Sequence, residues 1–73
     1  MENNEFLYKV GLKIKILRDA KKQSQETLAE KAGTSAPYLG TIERGEQNPS
    51  LELLKNIEDA LEVDIRELFN FVI

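Results

Sequence analysis

The stretch Ser24-Gln25-Glu26-Thr27-Leu28-Ala29-Glu30-Lys31-Ala32-Gly33-Thr34-Ser35-Ala36-Pro37-Tyr38-Leu39-Gly40-Thr41-Ile42-Glu43-Arg44 decides the fold. Between Gln25 and Ala32 the apolar residues Leu28, Ala29 and Ala32 recur at i, i+1 and i+4, the inward stripe of a short helix. Ser24 stands just before it, where a hydroxyl accepts a first-turn N–H, and Glu26 and Glu30 complement the helix start better than its end. Gly33 ends the helix, because glycine enters the left-handed region without a steric penalty. Ser35 caps a second helix running roughly from Ala36 to Arg44, and Pro37 is tolerated there because first-turn N–H groups have no intrahelical partner. Leu39 and Ile42 fall three apart and can pack onto Leu28 and Ala32, while small Ala29 lets the two axes cross closely. Ala36, Pro37, Gly40 and Thr41 are left facing outward.

The flanking sequence reads as further helices around this pair. From Phe6 to Lys22, Leu7, Val10, Ile14 and Leu17 recur at threes and fours with lysines between them, a core-facing first helix. Gly11 lies inside it at a cost of about 1 kcal/mol relative to alanine, which leaves the segment before it open to being a separate turn. After Gly45, residues 46–49 form a loop, and Ser50 caps a fourth helix with Leu51, Leu54, Ile57 and Leu61 as its stripe. Asp64 and Glu67 have the spacing of a capping box for a last helix from Ile65 onward. There is no strand-like alternation, repeat or low-complexity segment, so the expected fold is all-α, a compact bundle of about five helices.

That last segment, 65–73, is more apolar than the end of so small a domain requires. Ile65, Leu68 and Phe69 can reach the core, but Phe71, Val72 and Ile73 cannot all follow on one helical face. One reading is a two-fold dimer contact made by Leu68, Phe69, Phe71, Val72 and Ile73, which would add burial that the core lacks. The other is a tail that folds back onto its own domain.

Composition narrows the function. Seventy-three residues suffice for one small domain, 1–73, with a marginal core. The absence of cysteine and histidine excludes disulfides and metal sites built on those ligands, and no cofactor is expected. Charges interrupt every apolar run and the first five residues are polar and acidic, so neither a signal peptide nor a membrane span is expected, and the protein reads as cytoplasmic. The thirteen acids are scattered over apparent wet faces and no glycine-rich phosphate loop follows a strand; an enzyme is not expected.

The net charge is −3, but its distribution is uneven. Residues 9–44 carry eight lysines and arginines against four acids, a balance of +4, whereas residues 45–73 carry two against seven, a balance of −5. The basic half coincides with the crossed pair of helices. Chance asymmetry between two solvated faces is the bland alternative; duplex DNA, whose phosphates attract such a surface, is the functional one.

Taken together, Ser24-Gln25-Glu26-Thr27-Leu28-Ala29-Glu30-Lys31-Ala32-Gly33, Tyr38-Leu39, Ile42-Glu43-Arg44-Gly45, Pro49-Ser50-Leu51 and Leu61 resemble the lambda/434 repressor-like (Xre) family of helix-turn-helix domains over about residues 10 to 70. The resemblance implies a small stand-alone transcriptional regulator, restriction-modification controller-like or phage repressor-like, that binds operator half-sites as a homodimer. It also implies roles for single residues. Gln25 matches a glutamine that bonds a phosphate or a base edge, and Ser35, Ala36, Pro37, Gly40 and Thr41 match outward positions of the recognition helix. None of these five has the long amide or guanidinium that makes bidentate bonds to adenine or guanine, so direct readout is expected to be thin. Tyr38 and Arg44 flank this surface and suit phosphate oxygens, with Gln47 and Asn48 as weaker candidates; Tyr38 is equally compatible with a packing role. Lys9, Lys13, Lys15, Lys21 and Lys22 read mainly as the wet face of the first helix. Arg18 and Glu43 match a family ion pair expected to tie the first helix to the recognition helix. A protein-interaction module of the same fold, an antitoxin or a regulatory subunit, is the competing class, kept open by the acidic C-terminal half.

Overall fold

Every regular element in the computed structural model, which describes residues 3–71, is helical. In chain order these are α1 (Asn3–Ala20), α2 (Gln25–Ala32), α3 (Ala36–Glu43), α4 (Leu51–Leu61) and α5 (Ile65–Leu68). α1 crosses α3, α2 packs on both α3 and α4, and α5 closes the bundle against α1 and α4. The core is one cluster: Val10 and Ile14 from α1, Leu28, Ala29 and Ala32 from α2, Leu39 and Ile42 from α3, Leu54, Ile57 and Leu61 from α4, and Leu68 from α5.

The helix starts follow from hydroxyl and carboxylate caps. Ser24, Ser35 and Ser50 each hold extended backbone angles and accept the N–H three residues on, from Thr27, Tyr38 and Leu53. Asp64 caps α5 differently from the expected capping box: its carboxylate accepts the N–H of Arg66 and also the guanidinium of Arg66, at 2.8 and 2.9 Å. The helix ends share a second device. After α2, the N–H groups of Gly33 and Thr34 turn back to the carbonyls of Glu30 and Ala29, and after α3 those of Gly45 and Glu46 turn back to Ile42 and Thr41. Gly33 and Gly45 supply the left-handed residue at φ 79° and 76°. Lys22 and Glu62 play that part after α1 and α4, at φ 58° and 59°, where the sequence offered no glycine to announce the stop.

Several sequence-based expectations change. α1 begins at Asn3 and runs unbroken through Gly11, so no separate turn precedes the glycine. At Gly11 α1 lies against the end of α3: a Cβ there would stand 2.1 Å from the carbonyl oxygen of Ile42. The lost helix propensity is thus exchanged for a close crossing. Leu51, expected in the α4 stripe, is 83% exposed: it is the first residue of α4, directly after the Ser50 cap, and the helix buries Leu54, Ile57 and Leu61 instead. α5 has four residues rather than continuing toward Ile73, and Phe69 caps it with a non-helical conformation.

The C-terminal segment also requires a correction. Leu68, expected at a dimer contact, has no exposure at all and belongs to the core, because α5 packs against both α1 and α4 and leaves its one buried residue no open face. Phe69 stacks on Phe6 at 6.0 Å between ring centroids, and Phe71 meets the same ring at 5.9 Å in a tilted arrangement. Up to Phe71 the chain therefore folds back over the start of α1. Val72 and Ile73, the remaining residues assigned to that contact, lie outside the described residues.

Candidate nucleic-acid interface

The exposed edge of α3 is built by its own cap. Ser35 Oγ accepts the Tyr38 N–H at 3.2 Å, which fixes the entry angle of a helix whose first turn contains Pro37. Ser35 and Pro37 are exposed, and Ala36 and Thr41 are half-buried. Tyr38 is half-buried and packs against the core, consistent with the packing alternative, while its position beside Pro37 leaves part of the ring at the surface. The Thr41 hydroxyl donates to the carbonyl of Tyr38 at 2.6 Å, so its lone pairs and methyl, rather than its proton, are what it offers outward.

Gly40 does not face solvent. It is buried beneath two side chains from either side: a Cβ on it would stand 3.3 Å from Arg44 Nη1 and 3.6 Å from Gln25 Nε2. The expected outward glycine is instead the floor on which Gln25, at the first position of α2, and Arg44, at the end of α3, come together. Nothing in the periodicity of α3 alone reveals this, because the covering amide arrives from the other helix.

Beneath that floor lies a buried polar network. Arg18 of α1 donates to both oxygens of Glu43, from Nε to Oε2 at 2.7 Å and from Nη2 to Oε1 at 3.2 Å. Its remaining terminal nitrogen donates to the Gln23 carbonyl at 2.8 Å. Gln25 Nε2 donates to Glu43 Oε1 at 2.9 Å, so three of the helices that frame the motif are joined through one carboxylate. Arg18 and Glu43 are 8% and 5% exposed, the only charged residues in the core among the described residues. The hydrogen bonds and charge of Glu43 raise the already high pKa of Arg18 against the opposing effect of burial.

At the surface, Arg44 is paired to Glu46 through Nε to Oε2 at 3.1 Å and Nη2 to Oε1 at 3.2 Å, a bond that raises its pKa further. Glu46, three residues beyond the end of α3, has no periodic signature in the sequence. Among the lysines of α1, Lys15 pairs with Asp19 at 2.9 Å and Lys9 with Glu5 at 3.8 Å, both one helical turn apart. In the acidic half, Lys55 is held by Glu58 and Asp59 and Arg66 by Asp64. Arg66 holds the Asp64 carboxyl at about 2, its side-chain bond first and its backbone N–H second. No cluster of acidic side chains capable of holding a metal ion occurs among the described residues, and no helix among them is long and apolar enough to cross a membrane.

Two short helices crossed over a glycine turn, the second with an exposed N-terminal edge and both ends capped, define a helix-turn-helix protein. The chain belongs to the helix-turn-helix family, whose model matches residues 14–68. It is 42% identical over 62 residues to the HTH-type transcriptional regulator SinR of Bacillus licheniformis, covering 84% of this chain and 56% of that one. It is 45% identical over 56 residues to the immunity repressor protein of Bacillus phage phi105, covering 77% and 39%. The chain thus spans about half or less of the length of these curated relatives. The crystal structure of the restriction-modification controller protein C.AhdI from Aeromonas hydrophila superposes with a TM-score of 0.91 at 40% identity, covering 94% of this chain and all of that one. The arrangement of helices is lambda repressor-like.

Proposed function

We propose that this protein binds duplex DNA sequence-specifically as a homodimer and regulates transcription in the cytoplasm, with 1–73 as its DNA-binding domain and no catalytic activity. The observation that carries the reading is the convergence of Gln25 and Arg44 beside the exposed edge of α3, on the half of the chain with a positive balance of charge. The relatives named transcriptional regulator, immunity repressor and controller protein support the same role. α3 enters the major groove of each half-site with Ser35, Ala36, Pro37 and Thr41 toward the base edges. Gln25 and Arg44 contact backbone phosphate, which positions α3 without reading sequence; Tyr38 lies at the margin of the same surface. The homodimer draws on apolar groups still open on the C-terminal segment: Ile65 at 37% exposure and Phe69 at 38%, which stacks on Phe6 as Phe71 also meets it.

Selection of bound duplexes from a random pool at low salt tests binding and reads the site together. Affinity should fall with salt by about 0.9 in the log–log slope per phosphate neutralised. Arg44→Ala should weaken binding to all sequences and flatten that slope, whereas Thr41→Ala should change preference at one position per half-site by about 1 kcal/mol. Salt-independent binding, or a change of base preference from Arg44→Ala alone, would contradict these roles. Sedimentation should show a dimer at micromolar concentration that Ile65→Asp weakens, and a monomer at hundreds of micromolar would end the dimer reading.

A further inference from the structure

Arg44 is the cation of this surface that the fold presents beside α3, yet its guanidinium is already engaged. The edge formed by Nε and Nη2 is filled by the two oxygens of Glu46, at 3.1 and 3.2 Å. The other terminal nitrogen, Nη1, is turned inward over Gly40, where a Cβ would come within 3.3 Å of it. A phosphodiester presents two oxygens to a guanidinium much as a carboxylate does, and both prefer the two-bond edge that Glu46 holds.

Glu46 does not occupy that position by chance rotation of a loose loop. Its own N–H donates to the Thr41 carbonyl at 2.9 Å, and that of Gly45 to Ile42 at 3.0 Å, so the backbone of residue 46 is tied to the last turn of α3. Gly45 holds φ 76° and is pressed against α1: a Cβ on it would stand 2.6 Å from Tyr8 Cα. The turn that ends the recognition helix therefore delivers a carboxylate to the arginine two residues earlier.

We propose that Glu46 is an internal competitor for the phosphate site of Arg44, a carboxylate that DNA must displace and that thereby sets the affinity of each half-site. This rests on the reading of Arg44 as a phosphate contact. Both side chains are more than half exposed, at 59% and 55%, so the competition is modest and reversible rather than a lock. Exposed pairs of this kind correspond to about a twofold to fivefold effect on one equilibrium. In a dimer engaging two half-sites the factor applies twice, giving about fourfold to twenty-fivefold.

The test is a double-mutant cycle on binding to the selected duplex and to random duplex, using Glu46→Gln, Arg44→Ala and both together, at several low salt concentrations. Glu46→Gln should tighten binding to both duplexes in the range above and steepen the salt slope, by up to about 0.9 per half-site, as Arg44 becomes free to neutralise a phosphate. In the Arg44→Ala background the same change should give little or no gain. An equal gain in both backgrounds would mean that only the long-range charge of Glu46 matters, and would overturn the proposal. Weaker binding by Glu46→Gln would also overturn it, since Glu46 would then be orienting Arg44 for DNA rather than competing. If the unaltered protein bound no duplex at the lowest salt, the DNA reading itself would fail and take this one with it. Thermal unfolding of Glu46→Gln should match the unaltered protein, which separates the effect from any change in folding.

Discussion

Replacing Arg18 with methionine removes one half of a buried ion pair and leaves the other half in place. Glu43, whose side chain is 2% exposed, would keep a single donor, the Gln25 amide, where it now has three. An uncompensated buried charge of this kind costs about 3 to 5 kcal/mol. A 73-residue domain has a total stability of about 4 to 11 kcal/mol on the usual per-residue scale, so the loss consumes a large part of it. At about 4 °C or more per kcal/mol for a domain of this size, the melting temperature should fall by at least about 12 °C. Urea denaturation followed by circular dichroism at neutral pH measures the loss directly. The companion variant, Arg18→Met with Glu43→Leu, removes both charges and should recover to within about 1 kcal/mol of the starting protein, because apolar replacement of a buried pair is often neutral. The Gln23 carbonyl, which also loses Arg18, is at the partly buried end of the network and can turn to water. A loss below about 1 kcal/mol for Arg18→Met, or a double variant as unstable as the single one, would refute the reasoning.

Two further outcomes follow from the same geometry. Gly11→Ala should lower stability by about 3 kcal/mol despite the better helix former, because the added Cβ would lie 2.1 Å from the Ile42 carbonyl oxygen and force α1 from α3; stability unchanged or raised in a denaturant titration would show that the crossing is looser than described. The Asp64 carboxyl should titrate at about 2 by nuclear magnetic resonance. Since the folded value lies below the usual one near 3.9, its contribution to stability is present above that range and is lost as the pH falls through about 2; Arg66→Ala should move the midpoint back up, and no movement would assign the shift to another group.

The motif was legible because its signals are local. Ser24, Gly33 and Ser35 each mark a boundary through their own backbone chemistry, and Leu28, Ala29, Ala32, Leu39 and Ile42 all reach the core that their spacing implied. What could not be read locally depends on a second element arriving from elsewhere in the chain. Gly11 looked like a weakness of α1 until α3 was laid across it, and Gly40 looked like an open surface until Gln25 covered it. Leu51 is exposed where its spacing implied the core, and Leu68, able from its spacing to reach the core, is withdrawn from any dimer contact by the packing of α5. Lys22 and Glu62 end helices in a conformation that their residue types do not favour, so the stops after α1 and α4 had no strong signature. Arg18 and Glu43 became a pair only through the family resemblance, since 25 residues separate them.

The chemistry of α3 has a consequence for how a dimer would choose its site. Ser35, Ala36, Pro37 and Thr41 offer methyl groups, shape and short polar atoms, none of which forms the two-bond contacts that discriminate bases most strongly. Gln25 and Arg44 can add affinity, but phosphate contacts add it to every sequence alike. A single half-site engaged by one protomer would therefore be a poor discriminator, and selectivity would have to come from two protomers meeting half-sites at a fixed separation of about 34 Å, and from the deformability of the DNA between them. On that argument a weak grip by each protomer is an advantage, because strong phosphate binding would hold one protomer on random DNA whether or not its partner found a half-site. Glu46, by opposing the phosphate contact of Arg44, acts in that direction. Because Glu46→Gln should tighten binding to both duplexes, it should leave their ratio of affinities unchanged but raise occupancy of random DNA at concentrations where the selected site is already saturated, while loosening the dimer through Ile65→Asp should narrow the ratio of affinities by removing the second half-site.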